Sequence, residues 1–107
     1  MRRDLNLVRE ILFTLEEDSA EWNFEGRSPD EVAYHEYLIL PAGLAAGMET
    51  TGFGDAGPRA LLTHLTWAGH DFLDAAREES RWKQAMSLVK DKAGSVTFEV
   101  VKQVLAR

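Results

Sequence analysis

Between Ser28 and Pro58 the chain is punctuated so closely that its local conformation has few options. Ser28-Pro29-Asp30-Glu31 is a helix start. Ser28 suits the cap, proline suits the first helical position, and Glu31 stands three residues after the cap, as in a capping box. Pro41 lacks an amide hydrogen and biases the residue before it away from helix, so this helix should end near Leu40. Gly43-Leu44 leads into an extended segment, and Gly52-Phe53-Gly54-Asp55-Ala56-Gly57-Pro58 is a run of turn formers. Ala60-Leu61-Leu62-Thr63-His64-Leu65 reads as a returning strand. Residues 44–65 are therefore expected to form a β-hairpin, with strands over about 44–50 and 59–65.

The same stretch holds no Lys or Arg; its charges are Asp30, Glu31, Glu36, Glu49 and Asp55. Affinity for nucleic acid comes chiefly from cations meeting phosphates, so this segment is poorly suited to a duplex. The formal net charge is −6 over 107 residues, a length that makes one domain, 1–107, with a core of its own. Acids concentrate at the front, where residues 10–36 carry nine acids and one base, Arg27. From Arg77 onward, seven bases face four acids. The acidic front reads as a solvated surface or as a face for a basic partner. There is no Cys, which excludes disulfides and thiolate metal sites and fits a reducing interior. The N-terminus lacks the apolar run of a secretory signal, and no apolar stretch approaches bilayer length. A cytoplasmic protein without a membrane partner is expected.

Leu5, Val8, Ile11, Leu12 and Leu15 recur at helical spacing behind Asp4, which can cap them. Trp22-Asn23-Phe24-Glu25 alternates apolar and polar, which predicts a short strand over 21–25. On the helix after Ser28, at about 100° per residue, Val32, Ile39 and Leu40 fall near one side with His35 and Glu36 among them. Tyr34, Tyr37, Leu38 and Pro41 fall on the other. Thr66 can cap a helix carrying Trp67, Phe72, Leu73 and Ala76. Trp82, Ala85, Met86 and Val89 form a further stripe, and Thr97 can cap a last helix with Phe98, Val101, Val104 and Leu105. The tryptophans Trp22, Trp67 and Trp82 are expected in the interior, with Trp67 and Trp82 sharing one core with Leu5, Val8 and Leu12. The order helix, short strand, helix, two-stranded wing, helix predicts an α+β, mainly helical fold: a winged helix with additional C-terminal helices.

Four stretches also resemble a known family. They are Arg2-Arg3-Asp4-Leu5-Asn6-Leu7-Val8-Arg9-Glu10-Ile11-Leu12; Val32-Ala33-Tyr34-His35 with Ala42-Gly43-Leu44; Leu65-Thr66-Trp67-Ala68-Gly69-His70-Asp71-Phe72-Leu73-Asp74-Ala75; and Ser95-Val96-Thr97-Phe98-Glu99-Val100-Val101-Lys102. The chain is similar to small uncharacterised bacterial and prophage-borne proteins grouped as a domain of unknown function. The resemblance implies a winged-helix-like fold and a phage or mobile-element setting, and supplies no catalytic residues. Glu36 departs from the pattern, which favours an apolar residue there.

Gly52-Phe53-Gly54-Asp55-Ala56-Gly57 matches a dinucleotide fingerprint in letters only. That fingerprint needs a preceding strand and a helix opening within it, whereas Pro58 and a strand follow here. His35, His64 and His70 lie on separate elements, with no close pair of the kind zinc sites use. His35 reads as a helix-face residue, and His70 as bonding a backbone group. Asp71 and Asp74 lack converging partners. The chain is therefore read as non-catalytic, with no cofactor and no metal. It is expected to act by contact with a protein partner or with itself, through Tyr34, Tyr37, Leu38, Pro41 and the wing-tip Phe53, since aromatics concentrate at interfaces. In a phage setting, one such use is as an acidic inhibitor of a host nucleic-acid-binding or defence complex. The alternative is a winged-helix transcriptional regulator whose Arg2, Arg3, Arg9, Arg27 and Arg59 meet DNA phosphates.

Overall fold

A computed structural model describes residues 3–17, 22, 24–52 and 57–91. Four helices and one two-stranded antiparallel sheet follow in the order α1 (Leu5–Glu16), α2 (Pro29–Ile39), β1 (Ala45–Glu49), β2 (Ala60–Leu65), α3 (Trp67–Ala76) and α4 (Glu79–Asp91). This is a small α+β architecture dominated by helix. The chain divides into two compact units, Met1–His70 and Asp71–Arg107.

In the first unit the predicted caps are made. The Asp4 carboxylate accepts the amides of Asn6 (2.9 Å) and Leu7 (3.4 Å) and starts α1. Ser28 Oγ accepts the Glu31 amide at 3.1 Å, with Pro29 as the first residue of α2. Helix α1 packs on both α2 and β2. Two contact surfaces demand a wide apolar arc, and α1 accordingly buries Leu5, Leu7, Val8, Ile11 and Leu12. Leu15 is only half-buried, and Leu7, outside the narrow stripe expected from periodicity, is fully buried.

The strand expected over 21–25 is not formed by its described residues. Trp22 and Phe24 belong to no strand, Glu25-Gly26 make a turn, and residues 21 and 23 lie outside the described set. The sheet consists of β1 and β2, and an alternating run without a ladder partner has nowhere to place its backbone hydrogen bonds.

The hairpin itself stands within a residue of its expected limits. Its pairing shifts between Ala46, opposite His64, and Gly47, opposite Leu62. Thr63 is the extra residue, and its hydroxyl donates to the Ala46 carbonyl at 3.1 Å. A bulge changes the parity of a strand. Leu62 and Leu65, three apart, can therefore both be buried with Ala60, while Leu61, Thr63 and His64 are exposed.

The turn after α2 meets the start of α3. Gly43 has φ +78°, a conformation that L side chains rarely adopt, and it turns the chain out of α2. The Thr66 hydroxyl donates to the Gly43 carbonyl and accepts the Gly69 amide at 3.1 Å, while the Thr66 amide donates to the Leu44 carbonyl at 3.1 Å. A Cβ on Gly69 would collide with that same Leu44 carbonyl. The spacing Leu-Thr-Trp-x-Gly is thus a cap combined with a close backbone approach.

Trp67 overturns the expectation of an interior residue: it is 85% exposed. Its neighbours explain this. Phe72 is five positions on, about 140° around the helix, so burial of Phe72, Leu73 and Ala76 turns Trp67 outward. Trp22 is also exposed, at 38%.

In the second unit Phe72 meets Trp82 edge-to-face at 5.9 Å between centroids, and Trp82, Ala76 and Ala85 are buried. Glu78 begins α4 by accepting the amides of Ser80 (3.2 Å) and Arg81 (2.9 Å). The Ser80 hydroxyl, donating to the same carboxylate at 2.8 Å, and those two amides hold the carboxyl below its usual range. The helix expected after Thr97 lies outside the described residues.

Candidate functional site

His35 is the buried polar residue among those described, with no exposed surface. Its Nε2 accepts the Asp4 amide at 2.8 Å and its Nδ1 faces the Glu31 carbonyl at 2.7 Å. An amide can only donate and a carbonyl can only accept, so the ring is the neutral tautomer with its proton on Nδ1. The imidazole ties the first residues of α1 to α2. It is therefore the histidine that bonds backbone, the part expected of His70. His70 is instead exposed, with Nδ1 4.0 Å from Glu16. His64 Nδ1 lies 3.1 Å from the Thr63 hydroxyl, so the three imidazoles do not converge.

Arg27 completes the tie. Its guanidinium donates to Asp4 Oδ2 at 2.5 Å and lies 3.5 Å from Glu31. Burial pushes the Asp4 carboxyl up, but the hydrogen bond and charge of Arg27, with the amides of Asn6 and Leu7, outweigh it and hold the group below its ordinary value. Arg27 is raised in turn, chiefly by its bond to Asp4. The other arginines considered for phosphate contact are also engaged. Arg59 lies 3.1 Å from Asp30, and the Arg9 guanidinium sits 5.2 Å above the Phe13 ring. Arg3 is exposed and likewise has an interaction partner; Arg2 lies outside the described residues.

A cavity of about 290 Å³ opens between α2, the segment before it and the end of the hairpin. Trp22 and Phe24 form one wall, edge to face at 5.5 Å. Arg27 and Arg59 stand at its margins, Val32 and Ala33 line the α2 side, and Glu36 places a carboxylate in it. The Trp22 indole N–H donates to Glu36 Oε1 at 3.0 Å. Among the described residues Oε2 accepts no hydrogen bond. Burial raises the Glu36 carboxyl above its usual value; the Trp22 bond and the charge of Arg59 pull the other way without cancelling it. This explains why an acid is tolerated on the inward side of α2: Glu36 meets a cavity and an indole there, rather than close-packed aliphatics.

The residues expected to form a contact face are only partly accessible. Tyr34, Tyr37 and Leu38 are half-buried and Pro41 is exposed. The Tyr34 and His35 rings meet nearly at right angles, with centroids 5.7 Å apart. Tyr37, Leu40 and Pro41 share a shallow depression of about 230 Å³ with Glu49 of β1. Phe53 lies outside the described residues. What sequence reasoning missed is on the hairpin's outer face, where Met48 and Leu61 pair across the strands while 61% and 56% exposed. Strand alternation before the bulge carried that signal. Among the described residues no helix is long and apolar enough to cross a membrane.

The model of one family, described as hypothetical protein (DUF2513), matches residues 2–95. A relative from Haemophilus influenzae, described as an uncharacterized protein, is 31% identical over 110 residues, covering 97% of this chain and 92% of its own length. No solved structure matches.

Proposed function

We propose that this chain, which belongs to the DUF2513 domain-of-unknown-function family, is a non-catalytic module that works by protein contact. The observation that carries the reading is the outer face of the hairpin. Met48 and Leu61 sit opposite each other and exposed on a sheet whose other face is core, and Trp67 is exposed a few residues on. Contiguous exposed apolar surface is characteristic of contact sites. The Tyr37–Pro41 end of α2 and its depression beside β1 extend the surface assigned to the partner, with Tyr34 and Leu38 as its half-buried support.

A winged-helix arrangement belongs to this proposal. Its support is the order of α1, α2 and a two-stranded hairpin, with α3 and α4 after it. A cytoplasmic, phage or mobile-element setting belongs to it too, on the family resemblance. There the acidic front would compete for a basic surface on a host nucleic-acid-binding or defence complex, a use that rests on analogy. The arginines available to the DNA-binding alternative include two ion-paired to acids, Arg27 and Arg59. Sequence-specific duplex binding tighter than about micromolar at physiological salt is therefore not expected.

The test compares wild type with Leu61→Glu and Tyr37→Glu for recovery of a defined partner from host cells, alongside thermal unfolding. Loss of association at Leu61→Glu with an unchanged midpoint supports the reading. Tyr37→Glu should weaken association as well, with a larger cost in stability because the ring is half-buried. Operator-dependent band shifts at nanomolar protein, or full retention of the partner by both variants, would overturn it.

A further inference from the structure

The Trp22–Glu36 cavity is not used by the contact surface described above, and its chemistry selects a particular occupant. We propose that it is a receptor for one basic side chain of a partner polypeptide, holding an ammonium or guanidinium against Glu36 Oε2 and the alkyl stem against Trp22 and Phe24. This rests on the protein-contact reading and specifies the chemistry of that partner.

Three observations carry it. The first is charge. Arg27 is matched by Asp4 and Glu31, and Arg59 by Asp30. Glu36 is bonded to a neutral indole, and Arg59 acts on it through charge alone. Among the described residues, no cation is in hydrogen-bonding contact with the Glu36 carboxylate, and a half-desolvated carboxylate gains from acquiring one. The second is shape. About 290 Å³ lies at the small end of ligand sites, suited to one side chain. The third is the wall. An exposed Trp22 beside Phe24 offers the aromatic surface that attracts cations and covers alkyl stems. The formal net charge of −6 would steer a basic polypeptide toward the protein.

Short neutral-backbone probes separate this site from the hairpin surface. N-acetyl-arginine methylamide, N-acetyl-lysine methylamide and N-acetylcitrulline methylamide would be titrated into the full chain, following the Trp22 indole N–H resonance. Saturable shifts are expected from the two cationic probes. Binding should be at least about tenfold weaker for citrulline and for Glu36→Gln, because a charge-assisted bond is lost in each case. Glu36→Gln keeps the acceptor for Trp22; should it fail to fold, the citrulline comparison on wild type still decides. Trp22→Leu should weaken both cationic probes several-fold, read by calorimetry. Equal binding of citrulline, undiminished binding by folded Glu36→Gln, no shift with any probe, or a shift produced by inorganic phosphate instead would each overturn the proposal. A partner still held through Leu61 while the probes fail would remove the cavity's role and leave the contact reading intact.

Discussion

Two regions of the first unit hold wholly or partly buried polar groups in opposite ways. At the junction of α1 and α2, His35 has both ring nitrogens bonded, and Asp4 caps a helix while holding Arg27. At the cavity a few residues away, Glu36 has one oxygen bonded and one unmatched among the described residues. The first region leaves no capacity for a ligand; the second does.

The comparison breaks most visibly at His35. His35→Ala should cost about 3 kcal/mol in urea unfolding, since it strands the Asp4 amide and leaves a void. A loss below about 0.5 kcal/mol, the range of ordinary surface changes, would show that the junction is not a tight lock. Gly69→Ala comes next, at about 2 kcal/mol, because the added carbon must displace the Leu44 carbonyl. Unchanged stability there would deny the close approach.

The two carboxylates give a smaller but sharper contrast, because their pH dependences have opposite signs. Asp4 is held below its ordinary value in the folded state. The folded chain therefore binds fewer protons, and stability present above the ordinary carboxylate range is lost as pH falls through the lowered value. Asp4→Asn keeps the cap but not the charge on Arg27. It should cost about 1 kcal/mol at neutral pH and flatten the acid limb of a stability–pH curve. Glu36 is raised, so the folded chain binds more protons, and stability is lost as pH climbs from the ordinary carboxylate range through the raised value. Glu36→Gln should remove that decline and leave neutral-pH stability equal or higher by up to about 0.5 kcal/mol. A destabilised Glu36→Gln protein would mean that the carboxylate is structurally required and the cavity no more available than the junction.

Local physics made much of this readable from the chain. Asp4, Ser28-Pro29 and Thr66 act on amides two or three residues away, and Pro41 and Gly43 act on their own backbone, so helix starts and the limits of the hairpin were accessible without a fold. Trp67 was also within reach, since its angle to Phe72 follows from helix geometry. Contacts across distance were not accessible. His35 finds the Asp4 amide 31 positions away and Trp22 finds Glu36 across 14. The run Trp22–Glu25 has the alternation of a strand but no ladder partner, and Thr63 reverses the hairpin's parity only because β1 pairs as it does. Sequence determined where elements begin and end, since those energies involve neighbours in the chain. Tertiary structure alone decided which polar groups are satisfied and which remain open, because desolvation and hydrogen bonding depend on what packing brings alongside.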